Sequence, residues 1–177
     1  MAWTNRALTA GPVNYTVNAN GNLTARGTDG FSYDQANRLK SATVSGTISS
    51  DVYDGDGKRV SKTVGSTTTS YVYDVNGNLP NVLTDGTLKY VYGLGLAYTV
   101  DITGTVQVLH TDGLGSVLAL TDSAGTVVET YQSDAFGVPT QTQGSSSQPF
   151  QFTGQQEDPE SGFYDLRARY YLSLIHI

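Results

Sequence analysis

Several groups of side chains are spaced as if to hold a cation or move a proton. Asp54-Gly55-Asp56-Gly57 opens like a calcium loop, in which oxygen ligands alternate along the chain. The third ligand position is Lys58, and the closing Glu position is Gly65, so the simpler reading is a hairpin turn. Asp74, Asn76, Asn78 and Asp85 fit that spacing better, but Leu79 stands where the loop requires Gly and Pro80 follows. Glu157, Asp158, Glu160 and Asp165 surround Arg167 and Arg169. Paired carboxylates can do acid–base work; charge-paired closure of the last turns is the simpler account. His110 and Asp112 lie among many serines, the ingredients of a nucleophilic triad, yet no Gly-x-Ser-x-Gly elbow is present. A buried or strand-end His with a satisfied ring is expected there. Gly93-Leu94-Gly95 lacks the third Gly and the helix of a dinucleotide loop. Asn14 and Asn22 match glycosylation sequons and are equally ordinary residues of a repeat. No catalytic, cofactor-binding or metal-ligating residue is assigned on these grounds, and none is assigned to His176.

The elements that carry these residues are strands. Gly contributes 20 of 177 residues, and 12 of the aromatics are Tyr, against 5 Phe and 1 Trp. Gly, Thr, Val and Tyr in excess, with little Lys, Glu or Ala, is the composition of short strands and tight turns. The net charge of −6 disfavours a nucleic-acid partner, which needs a basic stripe. The absence of Cys excludes disulfides and thiolate chemistry. No apolar run approaches the ~18 residues of a membrane span, and the first residues do not read as a signal peptide. An export signal, if the parent carries one, is expected upstream.

Self-similarity is the strongest signal. Tyr15, Tyr33, Tyr53, Tyr73 and Tyr92 recur at intervals of 18, 20, 20 and 19 residues. Each precedes a short Asp/Asn/Gly cluster and then an apolar residue, as in Tyr73-Asp74-Val75-Asn76-Gly77-Asn78-Leu79. Before the turn the side chains alternate, so Tyr71 and Tyr73 share one face and Val72 the other. Asp74 can bond the backbone two residues on, and Gly77 tolerates a positive φ. Each repeat therefore reads as one β-hairpin, with turns centred near Asn20-Gly21, Asp54–Gly57, Asn76-Gly77 and Ser123–Gly125. The fold is all-β: antiparallel hairpins in an open or spiralling sheet. A stack of Tyr on one face could bind sugar, since Tyr stacks and hydrogen-bonds at once; packing between repeats is the simpler account.

These units resemble YD repeats. His110-Thr111-Asp112-Gly113-Leu114-Gly115, followed by Thr121-Asp122 and Gly125, resembles the core motif of bacterial Rhs/YD-repeat proteins. So do Asp134-Ala135-Phe136-Gly137, Phe152-Thr153-Gly154-Gln155, Asp158-Pro159-Glu160-Ser161-Gly162-Phe163-Tyr164 and Arg167-Ala168-Arg169-Tyr170-Tyr171. The resemblance implies structural roles for His110, Asp112, Gly115, Asp134, Phe136, Gly137, Phe152, Gly154, Gln155, Gly162, Tyr164, Arg167, Arg169 and Tyr170. It also implies a fold, a sheet spiralling into a hollow shell, whose core segment closes one end. By the same resemblance the partners are the remainder of that shell and an enclosed C-terminal toxin, the protein acts outside a bacterium or at its surface, and no cofactor is involved. A cell-surface carbohydrate-binding module and the remnant of an aspartate-dependent autoprotease are the alternatives. The segment that self-cleavage needs, after Tyr171, is absent, so that activity is not carried over.

The expected organisation is YD-type repeats over 1–107, the core segment over 108–171, and a non-native tail over 172–177. Leu172-Ser173-Leu174-Ile175-His176-Ile177 replaces the family's Asp-Pro continuation, and these residues are expected to pack poorly. An open array depends on its neighbours, so fraying is expected before about Tyr33. Phe136, Phe152, Phe163, Tyr164 and Tyr170 are expected in one aromatic cluster.

Overall fold

The computed structural model of the chain describes residues 9–10, 12–77, 79–145, 148–167 and 169–173. The first sheet is a meander of β1 (Thr9–Ala10), β2 (Val13–Val17), β3 (Leu23–Arg26), β4 (Asp29–Tyr33), β5 (Leu39–Val44), β6 (Thr47–Tyr53), β7 (Arg59–Val64) and β8 (Thr67–Ser70). The second continues with β9 (Val72–Asp74), β10 (Asn81–Thr84), β11 (Leu88–Tyr92), β12 (Leu96–Asp101), β13 (Val106–Thr111), β14 (Val117–Thr121), β15 (Val127–Ser133) and β16 (Pro139–Gln143). A third sheet comprises β17 (Gln156–Asp158), β18 (Phe163–Asp165) and β19 (Tyr170–Leu172). Every pairing is antiparallel and between sequence neighbours. Only Tyr71 separates β8 from β9, so one stretch of chain pairs first with β7 and then with β10, carrying the wall from one sheet into the other. Among the described residues there is no α-helix and no helix long and apolar enough to cross a membrane.

One turn recurs down an edge of the meander. At Asp54 the backbone N–H bonds Lys58 O at 2.9 Å, and Gly57 N bonds Asp54 O at 3.1 Å. The Asp54 carboxylate accepts from the N–H groups of Asp56 and Lys58 at 3.0 and 2.9 Å. The same bonds form at Asp34, Asp112 and Asp134, and on the opposite edge at Asp122. The residue three after the Asp is left-handed, with φ of 88° at Gly57 and Gly115 and 87° at Gly137, which is why Gly is favoured there. The strand register slips beside each such turn, for instance between Val52 and Tyr53, as an extra residue requires. The turns expected near Asn20-Gly21, Asp54–Gly57 and Ser123–Gly125 are present. At Asn76-Gly77 the chain bends, with Asp74 accepting from Asn76 N, but Gly77 does not take the positive φ expected of it, and Asn78 lies outside the described residues.

Alternation places Tyr15, Leu23, Phe31, Leu39 and Ala42 inside the first sheet. Tyr71, Val82, Leu88 and Tyr90 follow, then Leu109, Val117, Leu120 and Tyr131. Val72 points outward and is 55% exposed. The repeat tyrosines tie one hairpin to the last: Tyr53 Oη donates to Leu39 O at 2.8 Å, Tyr73 to Arg59 O at 2.8 Å and Tyr92 to Val82 O at 3.0 Å. Burial pushes the phenols of Tyr33 and Tyr92 up to about 12. The looseness expected before Tyr33 does not hold from Val13 onward, because the C-terminal segment folds back and covers Tyr15, Leu23 and Phe31. Position 107/108 falls inside β13, in the middle of a continuous sheet.

Candidate functional site: the closing segment

The described residues between 148 and 173 lie across the inner face of both sheets, Phe163 and Leu172 packing in the first core and Phe150 in the second. Phe150 packs edge-on against Tyr90, with centroids 5.0 Å apart. A tight turn at Gln151–Gly154 repeats the backbone hydrogen bonds of the wall's turns, with Gln151 in the Asp place but with Thr153 left-handed as well as Gly154, and meets the turn at Asp112–Gly115. There Val117 N bonds Gln151 O at 3.1 Å and Thr153 N bonds Ser116 Oγ at 3.0 Å. A Cβ on Gly154 would stand 3.1 Å from Gly115 O. The Phe152 ring lies against Gly137, where a Cβ would come within 2.5 Å of it. Tyr164 Oη donates to Gly137 O at 3.2 Å and Tyr171 Oη to Phe136 O at 2.9 Å.

The aromatic residues expected in one cluster divide between the two faces of β18, because Phe163 and Tyr164 are consecutive in a strand. Phe163 stacks on Phe31 at 4.9 Å and neighbours Tyr170 at 6.1 Å. Tyr164 lies 6.0 Å from Phe152 and 6.5 Å from Tyr171. Phe136 is 48% exposed at its turn. Leu172, read as the start of a poorly packed tail, is instead buried opposite Phe163 in β19, and Ser173 is buried after it. Residues 174–177, including His176, lie outside the described residues.

Charge holds the segment to β6 and β7. Arg59, 2% exposed, donates from Nη1 to Asp158 Oδ2 at 2.6 Å and from Nη2 to Asp158 Oδ1 at 3.1 Å. Arg59 also reaches Tyr170 Oη at 3.0 Å, and its guanidinium lies 5.1 Å from the Tyr71 ring centroid. Lys62 Nζ lies 2.6 Å from Asp158 Oδ1 and pairs with Glu160. Asp165 and Asp51 complete the group, 3.6 and 3.7 Å from the guanidinium. Tyr170 Oη donates to Asp51 Oδ2 at 3.2 Å. Four carboxylates thus face two cations in a desolvated site. Burial alone would raise Asp158, but Arg59 and Lys62 hold it below the usual carboxylate range. Asp51 has fewer partners, and burial pushes it up to about 6 against the opposing pull of Arg59. Asp165 is raised by burial too.

The acidic residues near the C-terminus were expected around Arg167 and Arg169. The structure corrects the cations. Arg167 and Arg169 fall in the turn between β18 and β19 and are exposed, while Asp158, Glu160 and Asp165 face Arg59 and Lys62. The missed residues carry a signal in the repeat itself. Shifted by one twenty-residue period, Asp51, Arg59 and Lys62 occupy the inward places of Phe31, Leu39 and Ala42. One hairpin has exchanged its apolar inner face for a charged one.

The remaining expected residues are turn and strand parts. His110 is exposed at a strand end, with Nε2 3.0 Å from Thr121 Oγ1. Hydrogen bonds led by the Ser116 N–H hold the Asp112 carboxyl low. Asp134 caps the turn ending at Gly137, and Gly162 carries a φ of 72° between β17 and β18. Gln155 donates to Thr153 O at 3.0 Å. Asp74 and Asp85, whose spacing is weighed above against a calcium loop and set aside, stand at opposite ends of β10 and serve separate turns. Asp54 and Asp56 both pair with Lys58.

The Teneurin YD-shell family model matches residues 2–175. The tRNA3(Ser)-specific nuclease WapA of Bacillus spizizenii is 34% identical over 176 residues, covering 86% of this chain and 7% of that protein. The tRNA nuclease WapA of Bacillus subtilis (strain 168) is 34% identical over 172 residues, covering 91% and 7%. The chain thus spans a small part of each relative. Among solved structures, a TcdB2-TccC3 crystal structure superposes with a TM-score of 0.69 at 15% identity, covering 90% of this chain and 9% of that one. A Photorhabdus luminescens Tc holotoxin pore with a TccC3 mutation gives 0.70 at 14% identity, covering 90% and 9%. At these identities the likeness shows the fold alone.

Proposed function

Because the chain belongs to the Teneurin YD-shell family, we propose that it is a length of shell wall whose residues 148–173 close one end, in a parent that encloses and delivers a toxin. The observation that carries this is the closing segment itself, fastened to the first sheet by Arg59–Asp158 and to the second by Phe152 on Gly137. The toxin, delivery to other bacteria or within a toxin complex, and a secreted or surface location are parts of the same proposal. The toxin is supported by the nuclease names of the WapA relatives. This length of wall has no catalytic role in that reading, since its buried carboxylates are engaged with cations and its turn carboxylates with backbone N–H groups. Tyr53, Tyr73 and Tyr92 favour packing over sugar binding, because their hydroxyls are bonded to the preceding hairpin.

The test uses the full-length parent protein carrying a protease-sensitive reporter at its C-terminus. Enclosure predicts reporter cleavage at least about tenfold slower than for the free reporter, and restored cleavage once the shell is denatured. Equal cleavage rates in the intact parent and the free reporter would refute it.

A further inference from the structure

A cavity of about 230 Å³ remains where the closing segment meets the second sheet. Tyr92, Leu96, Val117 and Phe150 give it apolar walls, Thr111, Thr153 and glycine backbone a polar margin, and Arg167 reaches it from the turn between β18 and β19. The cavity lies at the seam between two clusters of the core, and Leu96 packs against both. The Tyr92 hydroxyl is engaged with Val82 O, so its ring stands as a fixed wall. A mostly apolar hollow with a few polar groups at its margin accepts a guest that is itself mostly apolar.

Arg167 supplies the polar element. Its backbone is left-handed, with φ of 65°, and is held by Asp165 Oδ1, which accepts from Arg167 N at 2.8 Å. A non-glycine residue in that region needs such support. The guanidinium makes no ion pair among the described residues. Its hydrogen bonds are long and go to neutral oxygens, 3.4 Å to Pro80 O and 3.3 Å to Gln155 Oε1, and the Asp165 carboxylate is its charged neighbour. An exposed guanidinium beside an apolar hollow suits a ligand with a hydrocarbon body and an anionic end.

We propose that this cavity binds a small apolar carboxylate, an aryl- or branched alkyl-alkanoate of about a dozen heavy atoms, with the carboxylate on Arg167. The hydrocarbon lies against Leu96, Val117 and Phe150, and the guanidinium sets the orientation.

The probe is 3-phenylpropanoate, titrated into the whole chain by calorimetry, with 3-phenylpropan-1-ol as the uncharged counterpart. The acid should bind about tenfold more tightly than the alcohol, the difference a charge-assisted bond supplies. Arg167→Gln should bring the acid down to the alcohol's affinity, and Arg167→Lys should restore part of the difference. Equal binding of acid and alcohol, no saturable binding of the acid up to about 5 mM, or unchanged acid binding in Arg167→Gln would each overturn the proposal. The comparison of the two ligands on the unsubstituted chain decides the matter even if the glutamine variant does not fold.

Discussion

Asp158→Ala removes the carboxylate shared by Arg59 and Lys62. Both cations stay in a site where Arg59 is 2% exposed, and neither can recover water without opening the segment. Breaking one side of a buried pair typically costs about 3–5 kcal/mol. The low end applies here, because Asp51 and Asp165 remain within 3.7 Å of Arg59 and Glu160 remains on Lys62. With a urea slope of about 2 kcal/mol/M, a loss of about 3 kcal/mol lowers the unfolding midpoint by about 1.5 M. Urea titration followed by tyrosine fluorescence reads this directly. Asp56→Ala is the control: it removes a carboxylate that is 87% exposed and should leave the midpoint unchanged. If Asp158→Ala moves the midpoint by no more than Asp56→Ala does, the buried cluster does not hold the segment.

Asp51→Asn tests the charge excess through pH. Asp51 is raised to about 6 when folded, so folding takes up a proton between about 4 and about 6, and stability falls as pH rises through that window. The asparagine variant should therefore gain on the wild type above pH 7, with the gain shrinking towards pH 4; thermal melts across that range report it, and a constant difference would contradict the assignment. Gly137→Ala combines a φ of 87° with a Cβ 2.5 Å from the Phe152 ring, whereas Gly125→Ala has a φ of 84° and open space around it. The second should cost about 1 kcal/mol and the first about 2 kcal/mol more by denaturant melting; equal costs would place Phe152 elsewhere. Phe163→Ala should cost about 3–5 kcal/mol, since the ring stacks on Phe31 in the first core; a loss under ~1 kcal/mol would mean the closing sheet is not packed there.

The wall was legible because its signals are local. The Asp that accepts two backbone N–H groups and the left-handed residue three places on are fixed by a few bonds within one turn, so a single repeat suffices to read them. The Tyr interval then follows from two strands and two turns. What the sequence concealed are contacts across the wall. Asp158 and Arg59 are 99 residues apart, and nothing local tells Asp158 to prefer Arg59 over the nearer Arg167. The clue lay in the alignment of repeats: charges at 51, 59 and 62 stand in inward places that are apolar one period earlier. Strand alternation, applied to Phe163 and Tyr164, would likewise have divided the expected aromatic cluster in two.

Phe163 and Tyr164 also measure curvature. One touches Phe31 in β4; the other reaches Gly137 beside β15. Along the meander those places are ten strand-to-strand steps apart, counting β8 and β9 as one strand, or about 48 Å of contour at ~4.8 Å per step. Across the molecule a single intervening sheet separates them, and face-to-face spacings of about 10 Å on each side make that about 20 Å. So long an arc over so short a chord requires the wall to bend through at least half a turn, and side chains occupy its bore at that level. In the shell proposed above, this stretch is a stopper with its own collar.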